Sequence, residues 1–289
     1  MRALLQKELL MFFKTPIGYI YLAISLFMSG LLFVAVNLGT GNGDFTIVLN
    51  TLQLMLLLTS PLLTMRLMTE ERKNKTDQLL LTSPLTPFSL VLAKALASWL
   101  IFMLTCVAFI PYLLIIASLG STDWPKVYGG ILGYILLGSA YIAVGLYISS
   151  LTENQMTAAI FTFVTLFIFW IVDVLYSTLP NNNIVGLTSA VALLIAITIW
   201  LYKQTHHLRL SMIIFSLGVL ALGIIVVWHA DWIKNWLSQS LAWISLPRRY
   251  SRMLSGVLRI SDVVYLLGFT DCFLYLSIWK IEKRRWSED

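Results

Sequence analysis

The chain has 289 residues, 58% of them hydrophobic and 12% charged, with a mean hydropathy of +0.83; soluble domains carry about twice that charged fraction. A spanning helix needs roughly 20 apolar residues, so the composition fits about eight spans and excludes a sizeable soluble catalytic domain in this polypeptide. The 20 Lys+Arg against 14 Asp+Glu leave a net +6, a balance that in such a chain reflects cytoplasmic loops and not nucleic-acid binding.

Residues 1–14 place Leu5, Leu9 and Phe12 at helical spacing, with Arg2, Gln6, Lys7 and Lys14 tending to other faces. This predicts an amphipathic helix in the membrane interface, stopped at Thr15-Pro16. Gly18 to Leu38 is a first span, retained because no small-x-small cleavage pattern follows it. The turn-rich run Gly39-Thr40-Gly41-Asn42-Gly43-Asp44 is too polar for hydrocarbon. Phe45 to about Met65 is the second span.

The charged stretch from Arg66 to Ser89 must lie outside the bilayer. In Thr86-Pro87 an N-cap residue precedes a proline at the first helical position, which starts a third span running to about Leu119. Lys94 lies in its first two turns, where it is expected to snorkel to the interface, and Pro111 is expected to kink it. Val127 to Ser149 is a fourth span, with Gly129 and Gly133 as a small-xxx-small pair open to a neighbouring backbone. Met156 to Tyr176 is the fifth span. Ile184 to Tyr202 and Leu210 to Trp228 are the sixth and seventh.

The segment 231–262 mixes Trp232, Trp236, Trp243 and Tyr250 with Lys234, Arg248, Arg249, Arg252 and Arg259, which suits surface-lying helices against anionic headgroups. Val263 to Trp279 is the eighth span, followed by a basic end. Cys106 and Cys272 sit inside apolar stretches and read as small buried thiols.

Eight spans put both ends on one side. That side receives Arg2, Lys7, Lys14, Arg66, Arg72, Lys73, Lys75, Lys94, Lys203, Arg209, Lys280, Lys283, Arg284 and Arg285, against Lys126, Lys234, Arg248, Arg249, Arg252 and Arg259 on the other. By the positive-inside rule the first side is cytoplasmic.

No phosphate loop, HExxH, GxSxG or CxxC occurs. Two carboxylates fall at membrane depth: Asp173 near the outer end of the fifth span and Asp271 midway along the eighth. Such groups are costly in lipid and mark a polar site or pathway by default. For both, a packed or water-reaching carboxylate is the plain alternative.

The loop 69–87 is the most informative stretch. Thr76 is placed to cap a short helix through Leu81 that Ser83-Pro84 stops. That helix offers Leu79, Leu80 and Leu81, three consecutive leucines that need a membrane surface or a protein groove.

The run Glu70-Glu71-Arg72-Lys73, Lys75-Thr76, Leu79-Leu80-Leu81, Thr82-Ser83-Pro84 and Ala93-Lys94 resembles the signature of type-2 permeases of ABC transporters. In that signature Lys75 and Ala93 stand where glycines are usual. An N-terminal Lys7-Glu8 pair and a C-terminal pattern of Ser251, Gly256-Val257-Leu258, Asp262-Val263-Val264-Tyr265 and Arg284-Arg285-Trp286 look like the gliding-motility GldF-like subgroup.

The resemblance implies an all-α polytopic membrane protein with about eight transmembrane helices, an N-terminal interfacial helix and a cytoplasmic coupling helix, forming one permease domain over 1–289. It implies a bacterial-type inner-membrane protein, usually an exporter, that works as a dimer with a second copy or a paralogue. ATP and Mg would be held by a separate ATPase subunit, with no cofactor and no catalysis in this chain. Glu70, Glu71 and Arg72 would sit at the membrane edge of the joint, Thr76 to Leu81 would dock, and Pro84 would set the return angle into the third span. An extracytoplasmic accessory subunit would meet 231–262. The alternatives are an ion-coupled secondary transporter and a membrane anchor of an envelope or motility assembly.

Overall fold

The computed structural model describes residues 2–76, 86–119, 122–178 and 239–287, with scattered positions between 187 and 236. Every regular element among the described residues is a helix. Six are long and apolar enough to cross a membrane, so the chain is an all-α, multi-pass membrane protein. The sixth and seventh expected spans lie outside the described residues.

Helix α1 covers Arg2–Lys14, and α2 covers Pro16–Leu32 and runs on as a π-helical turn over Phe33–Leu38. Helices α3 (Thr46–Thr64) and α4 (Thr69–Lys73) precede the signature loop; α5 (Pro87–Val107) and α6 (Phe109–Leu119) follow it. Then come α7 (Trp124–Leu151), α8 (Gln155–Thr178), α9 (Leu246–Leu254) and α10 (Ile260–Ser287). By packing, Met1–Ile168 with Leu246–Asp289 is one compact unit and Phe169–Ser245 is another.

In the first unit α7 is the hub, packed by α3, α5, α9 and α10. Its glycines make this possible. A Cβ on Gly129 would stand 2.6 Å from the Met253 carbonyl oxygen of α9, and one on Gly133 would stand 2.9 Å from the Tyr250 ring. The small-xxx-small pair is therefore the seat of α9. Tyr250 closes that seat by donating its hydroxyl to the Leu49 carbonyl of α3 at 2.9 Å.

Two local expectations resolve differently in the structure. Pro111 lacks an N–H, and its ring crowds the carbonyl of residue 107; the consequence is a one-residue break at Ala108 between α5 and α6, inside the single crossing Pro87–Ser118, with Ala108 N–H turning to the Thr105 carbonyl at 3.2 Å. Cys106 is buried as expected, but Cys272 is exposed on α10. Hydropathy alone does not separate a buried face from a face turned to lipid.

Candidate functional site

The end of the first unit that carries the signature loop is organised around one lysine. Thr86 caps α5 as the sequence suggests: its Oγ accepts from Ser89 N–H at 3.3 Å, with Pro87 at the first helical position. Two turns further on, Lys94 faces inward and is 1% exposed. It does not snorkel, because its counter-charges come to it. Nζ donates to Glu8 Oε1 of α1 at 2.9 Å and pairs with Glu71 Oε1 of α4 at 2.9 Å. Both carboxylates are buried, and Lys7 Nζ stands 3.8 Å from Glu71 Oε1 at the rim.

Lys7 and Lys94 thus offset Glu8 and Glu71, the condition for keeping such charges out of water. The other acid of the pair, Glu70, takes a two-pronged hydrogen bond from Arg66 at 2.6 and 2.7 Å. Between these two pairs a pocket of about 20 Å³, lined in part by Glu8, Arg66 and Glu70, has room for one water molecule. Arg72 is half-buried on α4.

Helix α1 shows why Glu8 escaped the apolar reading. Its buried residues are Leu4, Glu8 and Phe12, a stripe shifted one position from the Leu5 and Leu9 of the sequence pattern. Glu8 lies in the middle of the packed face and reaches Lys94 from there.

The chain leaves α4 through a Schellman cap. Lys75 N–H bonds to the Arg72 carbonyl at 3.0 Å and Thr76 N–H to the Glu71 carbonyl at 2.9 Å, the paired pattern of that motif. Lys75 sits at its left-handed position with φ 55°, the place where the permease signature has glycine. Thr76 Oγ adds a bond to the same Glu71 carbonyl at 3.3 Å, so in the described residues Thr76 closes the helix before it. Leu79, Leu80, Leu81 and Pro84 lie outside the described residues.

At the other end of the unit a second charged cluster pins α9. Arg249 donates to Asp262 Oδ1 at 3.0 Å, and Arg252 bonds the same oxygen. Asp262 is fully buried, and the Arg249 guanidinium lies 3.6 Å over the Tyr265 ring. Arg249 and Arg252 were read from sequence as facing headgroups; here they face a carboxylate 13 and 10 residues on. The Asp262 and Tyr265 of the C-terminal pattern are the groups that receive them. After α9, Gly256 at φ 85° makes the equivalent cap, with its N–H on the Met253 carbonyl at 3.0 Å.

The two membrane-depth carboxylates are not part of either cluster. Asp173, in the second unit, accepts from Ser245 Oγ at 2.7 Å. Asp271 is exposed on α10, next to Gly268 and Cys272 on one outward stripe. Among the described residues no group of His, Cys, Asp and Glu is placed to hold a metal ion.

Lys7-Glu8, Glu70-Glu71 and Ala93-Lys94 stand far apart along the chain. The structure brings all three to one point. Residues 35–230 match the family model described as ABC-2 family transporter protein; no curated protein matches the chain.

Proposed function

The chain belongs to the ABC-2 transporter family and is a membrane-spanning permease subunit, and from that premise we propose that it exports its cargo with energy from a separate ATPase chain docked on the 69–87 loop. The observation that carries this reading is the junction at Lys94. Glu71 lies on α4 at the entry of the loop, Lys94 on α5 just after it, and Glu8 on α1. A push on the loop therefore reaches α4, α5 and α1 together instead of being lost in a slack connection.

In this reading Leu79, Leu80 and Leu81 enter a groove of the ATPase, whose nucleotide site holds ATP and Mg. Two permeases, identical or paralogous, place two such loops side by side. ATP-driven closure of the ATPase pair draws the loops together and tilts the spans between inward and outward access. Since the ATPase is cytoplasmic, the loop and both ends of this chain face the cytoplasm of a bacterial-type inner membrane. The chain falls in the GldF-like subgroup, and 231–262 meets an accessory subunit outside.

The test is co-expression with the ATPase encoded beside it. The wild type is expected to copurify with that ATPase and to transport, and Leu80→Asp and Pro84→Ala are expected to lose both. Absence of any ATPase from the wild-type preparation, or variants that copurify and transport normally, would sink the reading.

A further inference from the structure

Helix α2 turns its aliphatic side chains outward and its hydroxyls inward. It buries Gly18, Tyr21 and Ser29 and leaves Ile20, Ile24, Phe27 and Leu31 exposed, so its contact with the bundle rests on small and polar groups. Where it meets α3, α5 and α7 there is a pocket of about 10 Å³, whose wall includes Ser25, Ser29, Thr59, Thr105 and Tyr134. Thr105 stands eleven residues beyond Lys94 on α5, about 16 Å along the helix, which sets the pocket deep within a roughly 30 Å hydrocarbon core.

Three of these hydroxyls spend their hydrogens on their own helices. Ser29 donates to the Leu26 carbonyl at 3.0 Å, Thr59 to the Met55 carbonyl at 3.0 Å and Thr105 to the Phe102 carbonyl at 2.7 Å. Their oxygens keep lone pairs that can accept. Ser25 is different: its Oγ is buried and has no hydrogen-bond partner. The Tyr21 hydroxyl is a neighbour but does not meet it in hydrogen-bonding geometry. An apolar guest would leave that hydroxyl unpaired and out of reach of solvent, an unfavourable state.

The wall therefore asks for a guest that accepts once and donates to hydroxyl oxygens, within a space that holds one water molecule. Water has that set of bonds, and buried waters typically make about three. We infer that this pocket binds one ordered water, which accepts from Ser25 and donates to Thr59 and Thr105, tying α2 to α3 and α5 inside the membrane. The inference concerns how a span is held and needs neither the ATPase nor a direction of transport.

The test is X-ray radiolysis of the full-length chain in phosphatidylcholine nanodiscs, in which a water held inside the bilayer becomes a hydroxyl radical and oxidises the side chains beside it. Met28 and Met55 line the pocket and are half-buried. Met103 is half-buried on α5 and outside that lining, so it serves as the dry reference. Met28 and Met55 are expected to gain oxygen severalfold faster than Met103 in the wild type. Ser25→Ala removes the donor with almost no change of shape and is expected to bring both down to the Met103 rate. Equal rates at all three methionines in the wild type would overturn the inference. So would unchanged oxidation in Ser25→Ala, which would point to bulk water in the seam, or a rise there, which would point to a loosened helix.

Discussion

Lys94 Nζ lies 2.9 Å from Glu8 Oε1, across 86 residues of sequence. The pair is buried, and Glu71 shares the same ammonium. Removing one partner of a buried ion pair leaves an uncompensated charge, which costs about 3–5 kcal/mol. Lys94→Met is therefore expected to destabilise the purified protein strongly, read as a fall in thermal midpoint in detergent. A double-mutant cycle with Glu8→Leu is expected to show a coupling of about 1–3 kcal/mol. Additive effects would mean the contact carries no energy.

Lys75 holds a left-handed backbone that disfavours any side chain. Lys75→Gly is expected to stabilise the cap by about 1 kcal/mol, seen as a small rise in the same midpoint. Gly256→Ala, at the matching cap after α9, is expected to move it down, because φ is +85° there and Lys126 Cγ already stands 3.0 Å from where the Cβ would be.

The six described spans, the Thr86-Pro87 start and the Gly129/Gly133 seat could be read from the sequence because each rests on local chemistry: hydropathy, capping and side-chain size. The ion clusters could not. Lys94 read as a snorkelling lysine because nothing local marks Glu8 as its partner, and Glu8 was hidden in a helix whose apolar stripe seemed to run through Leu5 and Leu9. The aromatic and basic mixture around α9 looked like a lipid-facing surface for the same reason. Which charge meets which is decided by tertiary packing, and Asp262 stands in the first turn of the next helix, 13 residues beyond Arg249.

Helix α9 should be releasable from either of its anchors. Asp262→Asn removes the charge shared by Arg249 and Arg252 and is expected to cost roughly 3 kcal/mol. Gly129→Ala pushes a Cβ against the Met253 carbonyl. Met253 is fully buried, so Met253→Cys is expected to resist a membrane-impermeant maleimide alone and to label when combined with either change. Equal labelling in all three would show that neither anchor holds the helix.

Asp271 discriminates the energy source. If ATP drives transport, Asp271→Asn is expected to leave ATP-dependent transport intact in vesicles containing the ATPase. Loss of transport driven by a proton or sodium gradient in the permease alone would instead place the coupling in that carboxylate.

The interruption at Ala108 divides the third crossing into two rods. Along α5 the backbone ladder is continuous from the Thr86 cap to Val107, and bending stiffness follows that ladder. At Ala108 the regular ladder gives way to a tighter turn onto the Thr105 carbonyl, which makes the joint a compliant point of this crossing. A tilt imposed at Pro87 is absorbed there before it reaches α6, whose buried Phe109 ring and half-buried Tyr112 ring pack against Phe45. One crossing can thus rock at the half that carries Lys94 while the half that carries Phe109 stays still, the behaviour of a two-piece lever with one fixed arm.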